Sequence, residues 1–145
     1  MAVREIDIAE HWDAALPLMQ ANWQETGCGF GFAPSREFFE AAQQRGLFYA
    51  VGGFVDGELA GYCGVTIAPS PFNPSVGVAS GNPLYVAPAY RGGALCARLM
   101  LAAEQIARKR GATFAFWHMR ADTAAGDSLG RHGYECVDNV WMRGL

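Results

Sequence analysis

The stretch LYVAPAYRGGALCARLMLAAEQIARKRG, from Leu84 to Gly111, decides the fold. Its short apolar start predicts a strand, a proline-bounded turn and an Arg-Gly-Gly loop follow, and an amphipathic helix completes the unit. A glycine-rich loop that opens a helix leaves backbone N–H groups unpaired at the positive end of the helix dipole. Such groups bind phosphate without a charged side chain, so the sequence predicts a small pyrophosphate-carrying ligand at the edge of a sheet.

The segments before this unit predict three strands and two helices. Val3 and Glu5 alternate with Arg4 and Ile6 over residues 2–7, which favours a strand. Apolar residues over 8–24 recur every three or four positions, as in an amphipathic helix. Pro17 inside that helix predicts a kink or a break into two helices. Ser35 is placed to cap a second helix, and Asp56-Gly57 is a strong hairpin signal between two apolar strands.

The remaining segments complete the predicted fold class. The Pro-, Ser- and Gly-rich run from Pro69 to Gly81 predicts a loop. Residues 113–119 predict a strand, residues 121–133 a short helix, and residues 134–145 a final strand or strand pair. The resulting order β–α–α–β–β–β–α–β–α–β predicts an α/β fold with a mixed sheet and helices on both faces. The length suits a single domain over residues 1–145.

Composition and charge narrow the function classes. The chain is 51% hydrophobic and 17% charged, which is typical of a compact globular protein. Its net charge of −3 disfavours a nucleic-acid partner, which requires a basic face. No apolar run long enough to span a membrane and no secretion signal are recognisable, so we expect a cytoplasmic protein. Four widely spaced cysteines favour packing over a metal or disulfide role: Cys28, Cys63, Cys96 and Cys136.

The strand, loop and helix resemble the GNAT superfamily of N-acetyltransferases, and the resemblance covers nearly the whole chain. The family's loop motif, Arg/Gln-x-x-Gly-x-Gly/Ala, follows a strand that ends in a Val-x-Pro-x-Tyr-like segment. Here Val86-Ala87-Pro88-Ala89-Tyr90 ends the strand, Arg91 matches the first loop position, and Ala94 and Cys96 stand at the two small positions. The Arg-Gly-Gly loop and the long Pro69–Gly81 segment are most similar to a phage-associated subset of the superfamily.

The end of the last helix resembles the family's pattern in part. Gly133-Tyr134 matches the Gly-Phe pair with which that helix closes. Asp122 replaces the usual Asn, and Leu129 stands where the family carries a Tyr.

The resemblance implies a mostly antiparallel sheet whose fourth and fifth strands splay apart. It implies acetyl-CoA as the co-substrate, with the pantetheine arm in that gap, a primary amine as the acceptor, and no metal. The backbone of the fourth strand would hold the pantetheine, and the loop amides would hold the pyrophosphate. The implied cofactor-binding residues are Tyr85, Val86, Arg91, Gly92, Gly93, Ala94, Leu95, Cys96, Ala97 and Asp122.

Amine attack on a thioester requires a base for the amine proton, donors for the oxyanion and a proton for the thiolate. The sequence lacks the strand carboxylate and the helix Tyr that many family members use. Three residues are candidate catalytic substitutes: His118 at the end of the fifth strand, Glu25 near the expected amine entrance, and Ser128 beside the missing Tyr. A structural histidine, a solvated acid and an ordinary polar helix residue are the respective alternatives.

Two function classes remain open. One is an acetyl-CoA-dependent N-acetyltransferase acting on a small-molecule or peptide amine, and the other is a catalytically silent GNAT-fold module that binds coenzyme A or a protein. The acidic balance disfavours a toxin that acts on aminoacyl-tRNA, and the absence of a complete G-x-G-x-x-G disfavours a dinucleotide-binding Rossmann domain. The long loop and the apolar final strand favour a homodimer.

Overall fold

The computed structural model describes residues 1–27, 29–121 and 123–145. It contains one five-stranded sheet in which the strands lie side by side in chain order. Each strand up to the fourth is antiparallel to its neighbour, and the fifth runs parallel to the fourth. The strands are β1 (Ala2–Ile6), β2 (Phe48–Val55), β3 (Glu58–Ser70), β4 (Asn73–Val86) and β5 (Ala112–Trp117).

Helices cover both faces of this sheet, as predicted. They are α1 (Trp12–Thr26), α2 (Arg36–Gln44), α3 (Leu95–Lys109) and α4 (Ala124–Arg131), with a 3-10 turn at Pro88–Tyr90. In the described part of the chain, no helix combines the length and the apolar character that a membrane crossing requires.

The first helix differs from its prediction in one respect. Pro17 lies inside α1, and the helix continues through it, so the predicted alternative of a break into two helices is wrong. A proline removes one backbone hydrogen bond, and burial of Ala15 and Met19 against the sheet offsets that loss.

The two faces of the sheet carry separate apolar clusters. On one face α1 and α2 pack over residues that include Phe48, Ala50 and Tyr62. On the other face the stripe of α3 packs over Tyr49, whose hydroxyl donates to the Ala103 carbonyl oxygen at 2.7 Å. This bond fixes α3, and with it the loop that precedes α3, against the centre of the sheet.

The structure confirms two predictions made from short stretches of sequence, a helix cap and a hairpin turn. The Ser35 hydroxyl oxygen accepts from the Phe38 N–H at 3.1 Å, which caps α2. Asp56 and Gly57 have φ values of 51° and 85°, as a two-residue type I′ hairpin turn between β2 and β3 requires.

The predicted loop from Pro69 to Gly81 is wrong, because most of it belongs to β4. β3 and β4 form a long hairpin in which Thr66 pairs with Ser80 and Ala68 with Val78. Only residues 71 and 72 lie between the two strands. The abundance of Pro, Ser and Gly concealed an alternation of Val76 and Val78 with smaller residues, and that alternation is the signal of a strand.

The predicted final strand over residues 134–145 is also wrong. Residues 135–145 are neither helix nor strand, and they expose large apolar side chains. A strand needs a neighbour for its backbone hydrogen bonds, and in the described structure this segment pairs with no strand. β5 therefore forms one edge of the sheet.

The fourth and fifth strands separate, as the resemblance implies. The last pair in their register is Gly81 with Trp117, where β5 ends, and the His118 N–H donates to the Gly81 carbonyl oxygen at 3.1 Å. β4 continues to Val86 beside β3 alone. Its register against β3 shifts between Cys63 and Val65, which places a bulge in β4 just beyond Gly81.

Candidate active site

The loop between β4 and α3 presents unpaired donors. In the described part of the chain, the N–H groups of residues 92–97 have no hydrogen-bond partner, and the first helical bond runs from Arg98 N–H to the Ala94 carbonyl oxygen. Ala94 is the N-cap residue of α3, and its side chain makes no capping hydrogen bond. The loop residues through Ala94 are exposed, and Gly92 has a φ of 81°, a conformation that favours glycine. The uncapped end of α3 can therefore donate several hydrogen bonds to an anion.

Arg91, the first residue of this loop, binds within the protein. Its Nε donates to the Val86 carbonyl oxygen at 2.7 Å, and its Nη2 lies 2.7 Å from Glu25 Oε1. The same carboxylate oxygen accepts from the Tyr85 hydroxyl at 3.2 Å. The structure thus brings together four of the predicted site residues, Glu25, Tyr85, Val86 and Arg91, at the end of α1.

This cluster favours the ionised form of Glu25. The hydrogen bond from Arg91 lowers the pKa of the carboxyl group below its usual value, with a smaller contribution from the Tyr85 hydroxyl. Burial and the nearby carboxylate raise the pKa of the Tyr85 hydroxyl. Glu25 is therefore an ionised carboxylate at neutral pH, which suits attraction of a cation better than removal of a proton.

A tryptophan fills one side of the point where β4 and β5 separate. A Cβ added to Gly81 would lie 2.3 Å from Cε3 of Trp117, so only glycine leaves room for the indole ring. The Trp117 Nε1–H donates to Glu104 Oε1 on α3 at 2.9 Å, and the Tyr134 hydroxyl donates to the same oxygen at 2.6 Å. Glu104 thereby ties β5 and the end of α4 to α3.

His118 lies on the opposite face of the sheet at the same point. Its Nε2 is 2.9 Å from the Ser80 hydroxyl oxygen, and its side chain is exposed. Phe116 pairs with Ser80 in the parallel register, so the residue two positions later can reach the same hydroxyl. His118 is hydrogen-bonded at one ring nitrogen next to the opening between the strands.

Ser128 is half-buried on α4, beside the half-buried Leu129. The Ser128 carbonyl oxygen accepts a hydrogen bond from Nδ1 of His132 at 2.8 Å. In the described part of the chain, no hydrogen bond joins Ser128 to His118 or Glu25. Asp122, predicted as a cofactor residue, lies outside the described residues.

Aromatic side chains cluster where α1 meets the following loop. The Trp23 ring lies 4.7 Å from that of Phe30 and 6.3 Å from that of Phe32, measured between centroids. Phe30 is exposed and Phe32 is half-buried. Close by, Arg120 Nη1 donates to the Thr26 carbonyl oxygen, which links the chain after β5 to the end of α1.

A comparison with models of protein families shows to which family this chain belongs. The model of the acetyltransferase (GNAT) family matches residues 15–134, which include the loop, α3 and both strands that splay. The chain belongs to the GNAT family. It is an N-acetyltransferase, and the family uses acetyl-CoA as co-substrate. No protein among those with curated functions matches it significantly.

Solved structures share the GNAT fold over the full chain. A ribosomal-protein-alanine N-acetyltransferase from Brucella melitensis is 18% identical with a TM-score of 0.72, covering 100% of this chain and 98% of its own. An acetyltransferase from Trypanosoma brucei is 15% identical with a TM-score of 0.77, covering 99% of each chain. An aminoglycoside acetyltransferase from an uncultured soil metagenomic sample is 11% identical with a TM-score of 0.78, covering 99% and 96%. At these identities the likeness shows the fold.

Sequence reasoning missed two side chains of this GNAT site. Ser80 contacts His118, and Trp117 lies against Gly81 where the strands separate. Both arrangements depend on the parallel register of β4 and β5, and the sequence predicts a loop at Ser80 and Gly81. In the described residues, no group of three or more His, Cys, Asp or Glu side chains is arranged to hold a metal ion.

Proposed function

We propose that this protein transfers the acetyl group of acetyl-CoA to a primary amine by direct attack of the amine on the thioester. The observation that carries the proposal is the row of unpaired N–H groups over residues 92–97, next to the point where β4 and β5 separate. The family match supports acetyl transfer, and these two features match what a long, diphosphate-bearing thioester needs.

The residues present fit coenzyme A. The loop amides from Gly92 to Ala97 would hold its diphosphate, since they have no acceptor within the described protein. The backbone of Tyr85 and Val86 would hold the pantetheine, because this part of β4 has a strand on one side only. When bound, the co-substrate supplies an acyl thioester with a good leaving group. Proximity then contributes about 7–11 kcal/mol to lowering the barrier in well-aligned systems.

The side chains of this chain have separate tasks in the proposal. Glu25 attracts the ammonium form of the acceptor to the end of α1, since it is an ionised carboxylate at neutral pH. His118 accepts the amine proton, because Ser80 engages one ring nitrogen and the other can take part in proton transfer. Ser128 is the candidate donor to the departing sulfur. A backbone N–H at the bulge of β4 would stabilise the oxyanion.

Two measurements test the proposal. Isothermal titration should detect coenzyme A binding, and acetyl-CoA with a panel of amines should release free thiol. Replacing Gly93 by Leu should abolish both, because the side chain fills the space over the amides, yet nothing within 4 Å opposes it in the free protein. Gly144→Leu, also in open space, is the matched control and should bind normally. Absence of binding to the unaltered protein at high micromolar concentration would refute the proposal.

One observation favours the alternative that this protein is a catalytically silent GNAT-fold module that binds coenzyme A or a protein. Leu129 is half-buried at the position of the family's Tyr and has no side-chain proton to donate. A general acid contributes typically 10²–10⁴-fold to the rate, so a chain without one would be a weak or silent enzyme. Binding of coenzyme A without thiol release from any amine in the panel would establish this alternative.

We further propose a homodimer in which residues 135–145 of one copy cover β5 of the other. Val140 and Trp141 are 80% and 91% exposed, and Phe114 and Phe116 on β5 are 58% and 39% exposed. A groove of about 240 Å³, lined in part by Thr113, Phe114 and Tyr134, runs beside this edge. An apolar segment and an apolar sheet edge that both face solvent complement one another.

We infer one catalytic domain over residues 1–145 that works in the cytoplasm. The three described cysteines are free thiols, as a reducing compartment maintains. Cys63 is buried and the half-buried Cys96 packs against the same cluster, as the packing expectation requires, whereas Cys136 is exposed and Cys28 lies outside the described residues.

A further inference from the structure

The ion pair between Glu25 and Arg91 joins the two halves of the proposed site. Glu25 lies in the last turn of α1, on the proposed acceptor side, and Arg91 begins the loop that leads to the free amides. The distance from Arg91 Nη2 to Glu25 Oε1 is 2.7 Å. The two residues lie 66 positions apart in sequence, so the contact exists only through the fold.

Both partners are held in this pairing by further contacts. Arg91 Nε donates to the Val86 carbonyl oxygen, and the guanidinium carbon lies 5.2 Å from the centroid of the Tyr85 ring. Glu25 Oε1 also accepts from the Tyr85 hydroxyl. The guanidinium of the free protein is thus directed to β4 and α1, although it belongs to a loop whose amides face an expected anion.

We propose that the Glu25–Arg91 pair is exchanged on substrate binding and makes the two substrates bind cooperatively. The diphosphate of coenzyme A competes with Glu25 for Arg91, and a cationic amine competes with Arg91 for Glu25. Each substrate therefore releases the group that the other requires. The inference rests on the proposed function and assigns a coupling between its two subsites.

Linkage fixes the sign and the symmetry of this coupling. A ligand that breaks the pair lowers the cost of breaking it for the second ligand, so each raises the affinity of the other by the same factor. The side chains of Arg91 and Glu25 are 43% and 45% exposed, so solvent screens the pair. Exposed ion pairs of this kind correspond to about a two- to fivefold change in a binding constant.

The experiment measures coenzyme A binding to the unaltered protein and to Glu25→Gln by isothermal titration. The variant keeps the shape of the side chain and frees Arg91, so it should bind coenzyme A about two- to fivefold more tightly. Glu5→Gln is the matched control, because Glu5 pairs with Arg110 and is 41% exposed. It removes the same charge, so it reports the general effect of a less acidic protein on an anionic ligand.

The same comparison in a protein that already carries Arg91→Gln isolates the role of Arg91. The tightening by Glu25→Gln should disappear when Arg91 is already Gln, and thermal melting should confirm that all variants fold. Equal affinities of Glu25→Gln and Glu5→Gln, or tightening that persists with Arg91→Gln, would overturn the coupling and leave the proposed function intact. No binding by the unaltered protein would overturn both.

Discussion

Gly81 and Trp117 illustrate how one residue without a side chain shapes the site. The indole ring occupies the space where a Cβ would stand, and its Nε1–H is bound to Glu104 on α3. The ring therefore packs between the sheet and α3 at the point where β4 and β5 separate.

Gly81→Ala should destabilise the protein by about 1–3 kcal/mol, the usual cost of overpacking, because the indole ring must move. Urea denaturation measures the change. Gly126→Ala is the control, since Gly126 is helical with nothing within 4 Å, and it should stabilise by about 0.5–1 kcal/mol. Trp117→Leu combined with Gly81→Ala should cost less than the sum of the two single changes; strict additivity would contradict the packing argument.

Cys63 should resist alkylation in the folded protein. Burial raises the pKa of its thiol to about 12, whereas a free cysteine has a pKa of about 8.5. Because the pKa of this thiol is higher in the folded than in the unfolded protein, its contribution to the free energy of unfolding is fully present below pH about 8.5. That contribution is lost as the pH rises towards the pKa of the folded state. With iodoacetamide at pH 8.5, peptide mass spectrometry should find Cys136 modified and Cys63 unmodified until urea unfolds the protein. Equal rates at both sites would show that Cys63 is not buried.

Among the elements, the start of α3 combines weak capping with the ability to bind an anion. Its N-cap residue, Ala94, has no side-chain oxygen, so the first N–H groups stay available. A capped helix would be more stable and a poorer anion site. Stability and binding therefore oppose each other at this one position.

Ala94→Ser should raise the free energy of unfolding by about 0.5–2 kcal/mol, since serine caps the helix. The same change should weaken coenzyme A binding about two- to tenfold, because the hydroxyl occupies an N–H group that the diphosphate would use. Ala94→Gly lacks an acceptor and is the control at the same position; it should leave binding unchanged. Thermal melting and titration calorimetry measure the two effects. A variant that gains both stability and affinity would exclude these amides as the diphosphate site.

The parts of the fold that were predicted correctly depend on local sequence. The hairpin at Asp56-Gly57, the cap at Ser35 and the unit that ends in α3 each have their signal within a few residues. The sequence predicts the end of β4 at Leu84–Val86 correctly but a loop over Pro69–Gly81, because the pairing of that part of β4 with β3 and β5 is decided by distant partners. The same reason explains the site: Glu25 and Arg91 were both candidates, but their contact is a product of the fold.

For the molecule as a whole, two stretches late in the sequence each carry several exposed large apolar side chains. Phe114 and Phe116 mark β5, and the segment over 135–145 carries Val137, Val140, Trp141, Met142 and Leu145 in exposed positions. The edge of a sheet presents unpaired backbone groups as well as side chains. A second copy that covers this edge would satisfy both, which is why the proposed dimer places the segment there.

Light scattering after gel filtration should give the mass of a dimer for the unaltered chain at micromolar concentration. Trp141→Asp should shift it towards the monomer, because an aspartate in the covered apolar surface would lose its hydration without a partner. Phe72→Asp is the matched control: Phe72 is 98% exposed at the turn between β3 and β4, outside the proposed interface, and its replacement should leave the mass unchanged. A monomeric mass for the unaltered chain would refute the dimer. A dimer that survives Trp141→Asp would place the interface on another surface.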